Sequence, residues 1–137
     1  MNEDVLIGAL VVTHGQLGKE LVKAAGMIVE DVDHISAISI GWNDDVEESR
    51  ARIAEAVESV DQGRGVIVLT DMFGGTPSNL SLPLLQKGKV EIITGVNLPM
   101  VVKLANQPRK EPLEELAVRV KEQGQRQISI ASQLLGE

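Results

Sequence analysis

Residues Val5 to Gly15 read V-L-I-G-A-L-V-V-T-H-G. The run is apolar up to Thr13, then stops in a histidine and a glycine. A stretch of this kind, rich in Val, Leu and Ile, predicts a strand covered on both faces, as in a parallel sheet. The residue after such a strand sits at its carboxyl end, where open α/β sheets place their ligand chemistry. His14 is thereby delivered to that edge, and the rest of the chain decides what meets it there.

Outward from this strand, the chain alternates. Gly15 turns the backbone into a helix from about Gln16 to Val29, with Leu17, Leu21, Val22, Ala25 and Ile28 at helical spacing. His34 to Ile40 alternates as a second strand, with His34 expected as a surface residue at its amino end. Gly41 to Asp45 is a turn that caps a helix from about Asp45 to Val60. Val66 to Thr70 is a third buried strand, followed by D-M-F-G-G-T-P-S-N at Asp71 to Asn79 and a helix to about Gln86. Thr76 is placed as its N-cap and Pro77 at the first helical position. Val90 to Thr94 is the fourth strand, and Pro99 opens a helix to about Ala105. A polar linker from Asn106 to Glu111 leads to a last helix, Pro112 to Glu122, ended near Gly124. Gln127 to Ala131 alternates like a short edge strand.

Strands alternating with helices predict an α/β fold: an open, doubly wound sheet of four parallel strands with right-handed crossovers and helices on both faces. The expectation is a single domain over residues 1–131 and an unconstrained tail at 132–137.

Composition bounds the function. The chain has 137 residues, 43% of them apolar, yet only one Trp, one Phe and no Tyr. Its core must be built from Val, Ile, Leu and Ala. A net charge of −7, from 13 Lys+Arg and 20 Asp+Glu, argues against nucleic acid or an anionic membrane as ligand and fits a partner with a basic contact surface. With no cysteine, disulfides, thiolate catalysis and Cys-ligated metals are excluded. The N-terminus does not read as a signal peptide, and no apolar stretch reaches the roughly 20 residues of a membrane span, so the expected location is cytoplasmic.

Three strand-to-helix turns share one edge if the strands are parallel: T-H-G after strand one, the Asp71 to Asn79 turn, and Gly95 to Asn97 after strand four. Each has an ordinary structural use. A histidine or aspartate after a strand often serves only the local turn, and Gly-Gly-Thr-Pro starts helices. Together they describe chemistry. A histidine near its usual pKa of about 6.5 is neutral often enough to act as a nucleophile. A carboxylate such as Asp71, accepting the proton of one ring nitrogen, leaves the lone pair of the other facing outward. A Gly-Gly turn entering a helix offers backbone N–H groups to an anion. Nucleophile, orienting carboxylate and anion cradle suit transient phosphorylation of His14. Other α/β sites lack their residues here: there is no Gly-Lys-Ser/Thr loop, no G-x-G-x-x-G after strand one and no G-x-S-x-G elbow. A receiver-type aspartate site would need an acidic pair after strand one, where Thr13-His14 stands.

At these residues the chain resembles the EIIA domains of the mannose class of the bacterial phosphoenolpyruvate-dependent sugar phosphotransferase system (PTS). T-H-G at Thr13 to Gly15, D-M-F-G-G-T-P-S-N at Asp71 to Asn79 and G-V-N-L-P-M at Gly95 to Met100 stand in that family's order and spacing. The resemblance implies a phosphotransferase that works as a phosphocarrier. His14 would accept a phosphoryl group from phospho-HPr as a tele-phosphohistidine and pass it to a histidine of a mannose-class EIIB, here a separate protein, for sugar uptake. Asp71 would orient His14. Thr13, Gly74, Gly75, Thr76 and Ser78 would hold the phosphoryl oxygens. No metal and no cofactor is implied, and the membrane is met only indirectly through the transporter. The family also implies a homodimer in which the strand matching Gln127 to Ala131 is exchanged, as an antiparallel edge strand. The alternative is a regulatory protein of the same fold, whose phosphorylation state selects its binding partners.

Overall fold

The computed structural model describes residues 5–108 and 110–136. Residues 1–4, Arg109 within the expected linker and Glu137 lie outside them. The elements run β1 (Gly8–His14), α1 (Leu17–Ile28), β2 (Ile35–Ile40), α2 (Val46–Val60), β3 (Val66–Thr70), α3 (Thr76–Ser81), β4 (Val90–Thr94), α4 (Leu98–Ala105), α5 (Leu113–Arg126) and α6 (Ala131–Leu134). The four strands are parallel in the order β2-β1-β3-β4.

The two central strands are the two that read as unbroken apolar runs. β1 is buried as far as Thr13, and β3 is buried throughout. Alternation sends their side chains to two cores. Ala9, Val11, Ile67 and Leu69 pack beneath α1, α4 and α5 with Ala25, Leu104 and Leu116. Leu10, Val12, Val66 and Val68 pack beneath α2 and α3 with Ile53, Val57 and Leu80. Each fully buried Val, Leu or Ile contributes about 1.5–3 kcal/mol relative to exposure, so a core without aromatics suffices when both faces are covered.

Several boundaries differ from those expected. His14 is the last residue of β1 and not the first after it. The helix after β3 is short, because a 3-10 turn over Leu82–Leu84, containing Pro83, replaces its second half. Thr76 is not the N-cap of α3; Gly75 is, and Thr76 is its first helical residue. α5 runs through Gly124, which is buried, and a Cβ there would lie 2.6 Å from the Cγ and Sδ of Met100. That glycine permits close packing of α5 on α4 and does not end the helix.

The polar stretch before α5 is not a plain linker. Gln107 is buried: its Oε1 accepts from the Ile7 amide at 2.8 Å, and its Nε2 donates to the carbonyls of Ile7 and Leu104 at 2.9 Å. His34, expected at the surface, is buried beside it and donates from Nε2 to the Leu104 carbonyl at 2.9 Å.

The expected edge strand over Gln127 to Ala131 is not formed within the single chain. Ile130 is extended, Ile128 and Ile130 are exposed, and the tail closes in the short helix α6. The physical reason is local: α5 continues to Arg126, and among the described residues no strand is paired with those beyond it.

Candidate functional site

Strand order reverses between β1 and β3, since β2 lies to one side of β1 while β3 and β4 lie to the other. That is the topological switch point, where the loops leaving two adjacent strands diverge and open a crevice. His14 ends β1 there, and Asp71 comes directly after β3.

The two side chains meet. His14 Nδ1 lies 2.8 Å from Asp71 Oδ2. The backbone amide of His14 donates to the same oxygen at 3.0 Å, and the amide of Met72 donates to Oδ1 at 3.0 Å. The carboxylate is thus anchored from both strand ends before it meets the ring. Its side chain is 13% exposed, against 51% for His14. Burial pushes the Asp71 carboxyl up, but the hydrogen bonds from the His14 amide and ring, with the ring's charge, outweigh it and hold it below the usual carboxylate value. An ionised acceptor at Nδ1 selects the Nδ1–H tautomer and leaves the Nε2 lone pair free on a half-exposed ring.

The Asp71 to Asn79 turn wraps that ring. Gly74 has φ +87°, a left-handed backbone that favours glycine. At Gly75 a Cβ would stand 2.9 Å from His14 Cε1 and 3.4 Å from Nε2, so only glycine lets the turn lie this close to the ring. Asn79 closes the turn by donating from Nδ2 to the Gly74 carbonyl at 3.3 Å. Thr76 is exposed at the first helical position, where a backbone N–H has no intrahelical acceptor.

Not every expected site residue reaches the surface. Thr13 is fully buried, and its Oγ1 accepts from the Gly18 amide at 2.7 Å, which caps α1 in place of Gln16, whose side chain makes no capping bond. Ser78 is fully buried, with no hydrogen-bond partner for its hydroxyl among the described residues. The third turn lies beyond β3. Its Gly95 and Val96 amides donate to the Thr70 carbonyl, while Asn97 caps α4 at the Met100 amide and donates to the Gly124 carbonyl. That motif secures the end of β3 and the α4–α5 packing. His14, Asp71 and the Gly74–Thr76 turn are the residues brought together.

The rim lies outside the expected site residues. Trp42 and Phe73 stand exposed in the turns after β2 and β3, and their position in turns at one sheet edge was the signal available.

Comparison with known proteins identifies the family. The fructose-specific EIIA component of the PTS from Bacillus subtilis (strain 168) is 22% identical over 131 residues, 95% of this chain and 90% of that protein. The mannose-specific EIIAB component from Escherichia coli (strain K12) is 28% identical over 123 residues, and the match spans 38% of that longer protein. Among solved structures, the PTS IIA protein associated with the fucose utilization operon of Streptococcus pneumoniae superposes with a TM-score of 0.84 at 27% identity, covering 96% of this chain and 97% of that one. Residues 8–121 match the family model EIIA-man, described as the PTS system fructose IIA component. The chain belongs to that family, the EIIA components of the mannose–fructose–sorbose class of the sugar phosphotransferase system.

Proposed function

We propose that the chain carries a phosphoryl group on Nε2 of His14, taken from phospho-HPr and given to a histidine of a mannose-class EIIB. The observation that carries this is the 2.8 Å contact of Nδ1 with Asp71 on a ring whose other nitrogen faces out. The Nε2 lone pair attacks phosphorus in line. The N–P bond of the donor breaks as the new one forms, and the donor imidazole leaves with the electron pair. The Nδ1 proton stays in place, and the positive charge that develops on the His14 ring is balanced by the ionised Asp71. Transfer to the acceptor runs these steps in reverse.

Charge on the transferring oxygens falls beside the Gly74, Gly75 and Thr76 amides and the Thr76 hydroxyl. α3 has only six residues, so these local groups carry the stabilisation, with little from a helix dipole. Thr13 enters this reading as a support, its buried hydroxyl holding the start of α1 beside His14, and Ser78 as a buried residue of α3 behind the cradle. The sugar is chosen by the membrane components in this scheme, so no sugar named for a relative is carried over.

The reading includes a homodimer in which Gln127 to Ala131 pairs with β4 of a second copy. The exposed Ile128 and the exposed, extended Ile130 support it, as does a cleft of about 480 Å³ along Glu91–Thr94 at the outer edge of β4. Sedimentation as a monomer would remove this part alone.

The test of the carrier role is reconstitution with phosphoenolpyruvate, Enzyme I and HPr, with acid-labile phosphate located by mass spectrometry. His14→Ala is expected to take up none while its circular dichroism stays unchanged. Label on that variant would refute the assignment, and onward transfer to an EIIB would separate transport from a purely regulatory role.

A further inference from the structure

The chain has two aromatic side chains, and neither is in the core. Trp42 is 98% exposed and Phe73 is 73% exposed. Both lie at the carboxyl edge of the sheet. His14 is in register with Ile40, and the Gly15 amide donates to the Ile40 carbonyl at 2.9 Å, so Trp42 stands two residues beyond the β2 neighbour of His14. Phe73 stands two residues beyond Asp71 on the β3 side. With β1 between β2 and β3, the turns that carry the two aromatics lie on opposite sides of the strand that ends in His14. Leaving a Trp in water wastes a large apolar surface, and Trp is the side chain most enriched among the residues that dominate protein–protein binding energy.

The residues that directly follow Trp42 carry charges of one sign. Asp44, Asp45, Glu47 and Glu48 come within the next six residues. Asp44 and Asp45 are held in place by the Gly41 and Glu48 amides, at 2.7 and 3.1 Å. The nearby Arg50 is engaged with Glu47 at 3.4 Å. An acidic rim repels a bare phosphoryl dianion, so whatever brings one to His14 must bring cations with it.

Resting on the phosphocarrier reading, we infer that Trp42, with Phe73 opposite, is the docking anchor for the phosphohistidine-bearing donor protein, which meets it with a basic surface that has an apolar centre. The donor is the occupant because it is the partner that must bring a phosphoryl dianion past the acidic residues after Trp42, and only a carrier with a basic surface offsets that repulsion. Trp42 touches no reacting atom in this proposal. It holds the donor long enough for its phosphorus to reach Nε2.

The lone Trp is also the reporter. Titrating the wild-type chain with an unphosphorylated, Trp-free HPr is expected to shift the emission to the blue and to shield it from acrylamide. In the reconstituted system, Trp42→Ala is expected to raise the KM for phospho-HPr by about 10- to 30-fold. Labelling of His14 by phosphoramidate, a small donor that needs no docking surface, should stay within about twofold of wild type on the same reasoning. An unchanged KM, an emission unmoved by saturating HPr, or an equal loss with phosphoramidate would each overturn the docking role. Normal transfer by both wild type and Trp42→Ala leaves the carrier reading standing while this inference fails. A wild-type chain that takes no phosphoryl group from HPr overturns both.

Discussion

His14 ends β1 with half of its side chain in water and an anchored carboxylate at Nδ1. His34 precedes β2 at the other end of the same sheet, 3% exposed, with Nε2 on the Leu104 carbonyl and Nδ1 buried without a partner among the described residues. One ring keeps a free nitrogen toward solvent; the other keeps its free nitrogen where nothing can arrive. The difference lies in the surroundings and not in the residue type. At the carboxyl end, loops diverge at the switch point and leave a ring accessible. At the amino end, the chain returning from α4 closes over the sheet, and Gln107 and His34 satisfy the backbone groups there.

The comparison breaks first at Asp71. Asn can accept from one backbone amide but cannot replace both carboxylate oxygens, and it carries no charge to balance the phosphorylated ring. Transfer by Asp71→Asn is expected to fall by two to four orders of magnitude, about 3–5 kcal/mol of transition-state stabilisation, measured as kcat/KM with phospho-HPr. Unchanged transfer would reduce Asp71 to a turn acceptor. The sign of the linked pH effect comes from its lowered pKa. A carboxyl held down in the folded state adds stability above the unfolded value of about 3.9, and that stability is lost as pH falls through the folded value. The stability gap between wild type and Asp71→Asn should therefore close under acid and stay level across neutral pH, read by urea unfolding.

How much of the fold and the site is legible in sequence depends on the kind of signal each part leaves. β1 and β3 are readable because burial on both faces writes an unbroken apolar run. His14 and Asp71 are readable because each stands where such a run stops. Helix ends are less so: Gly124 looks like a terminator in sequence, yet it is a contact with Met100 that depends on an element more than twenty residues away. His34 and Gln107 read as surface and linker because polar residues next to turns are usually solvated. Their burial comes from α4 and β1 meeting, which no local pattern encodes. Thr13 and Ser78 share the family's motifs with the site but face inward, since neighbours on a strand or helix point in different directions.

The amino end should break differently. Gln107→Leu keeps much of the volume but leaves the Ile7 amide and carbonyl without partners in a buried site. The expected cost is about 2–4 kcal/mol of folding stability, with phosphoryl uptake by the folded fraction unchanged. Denaturant unfolding paired with labelling checks both halves. A loss of uptake without a loss of stability would show that the two ends are coupled and would undo the contrast drawn between them.

The smallest effect expected is at Gly75, and it tests the carboxyl end for a fit between turn and ring. An added methyl would meet His14 Cε1 at 2.9 Å, closer than carbon atoms sit. The ring is half exposed and the turn is at the surface, so both can yield; stability should change by less than about 1 kcal/mol. What yields is the position of Nε2 relative to the Gly74–Thr76 amides and the 2.8 Å contact with Asp71. A misplacement of this size costs about tenfold in transfer, with KM for the donor little changed, because docking surfaces lie outside the turn's inner face. The ring's nitrogen chemical shifts should report a mixture of tautomers in Gly75→Ala where the wild type shows Nδ1–H. If the variant transfers at the wild-type rate with a single tautomer, the glycine serves only the backbone path of the turn, and orientation of His14 rests on Asp71 alone.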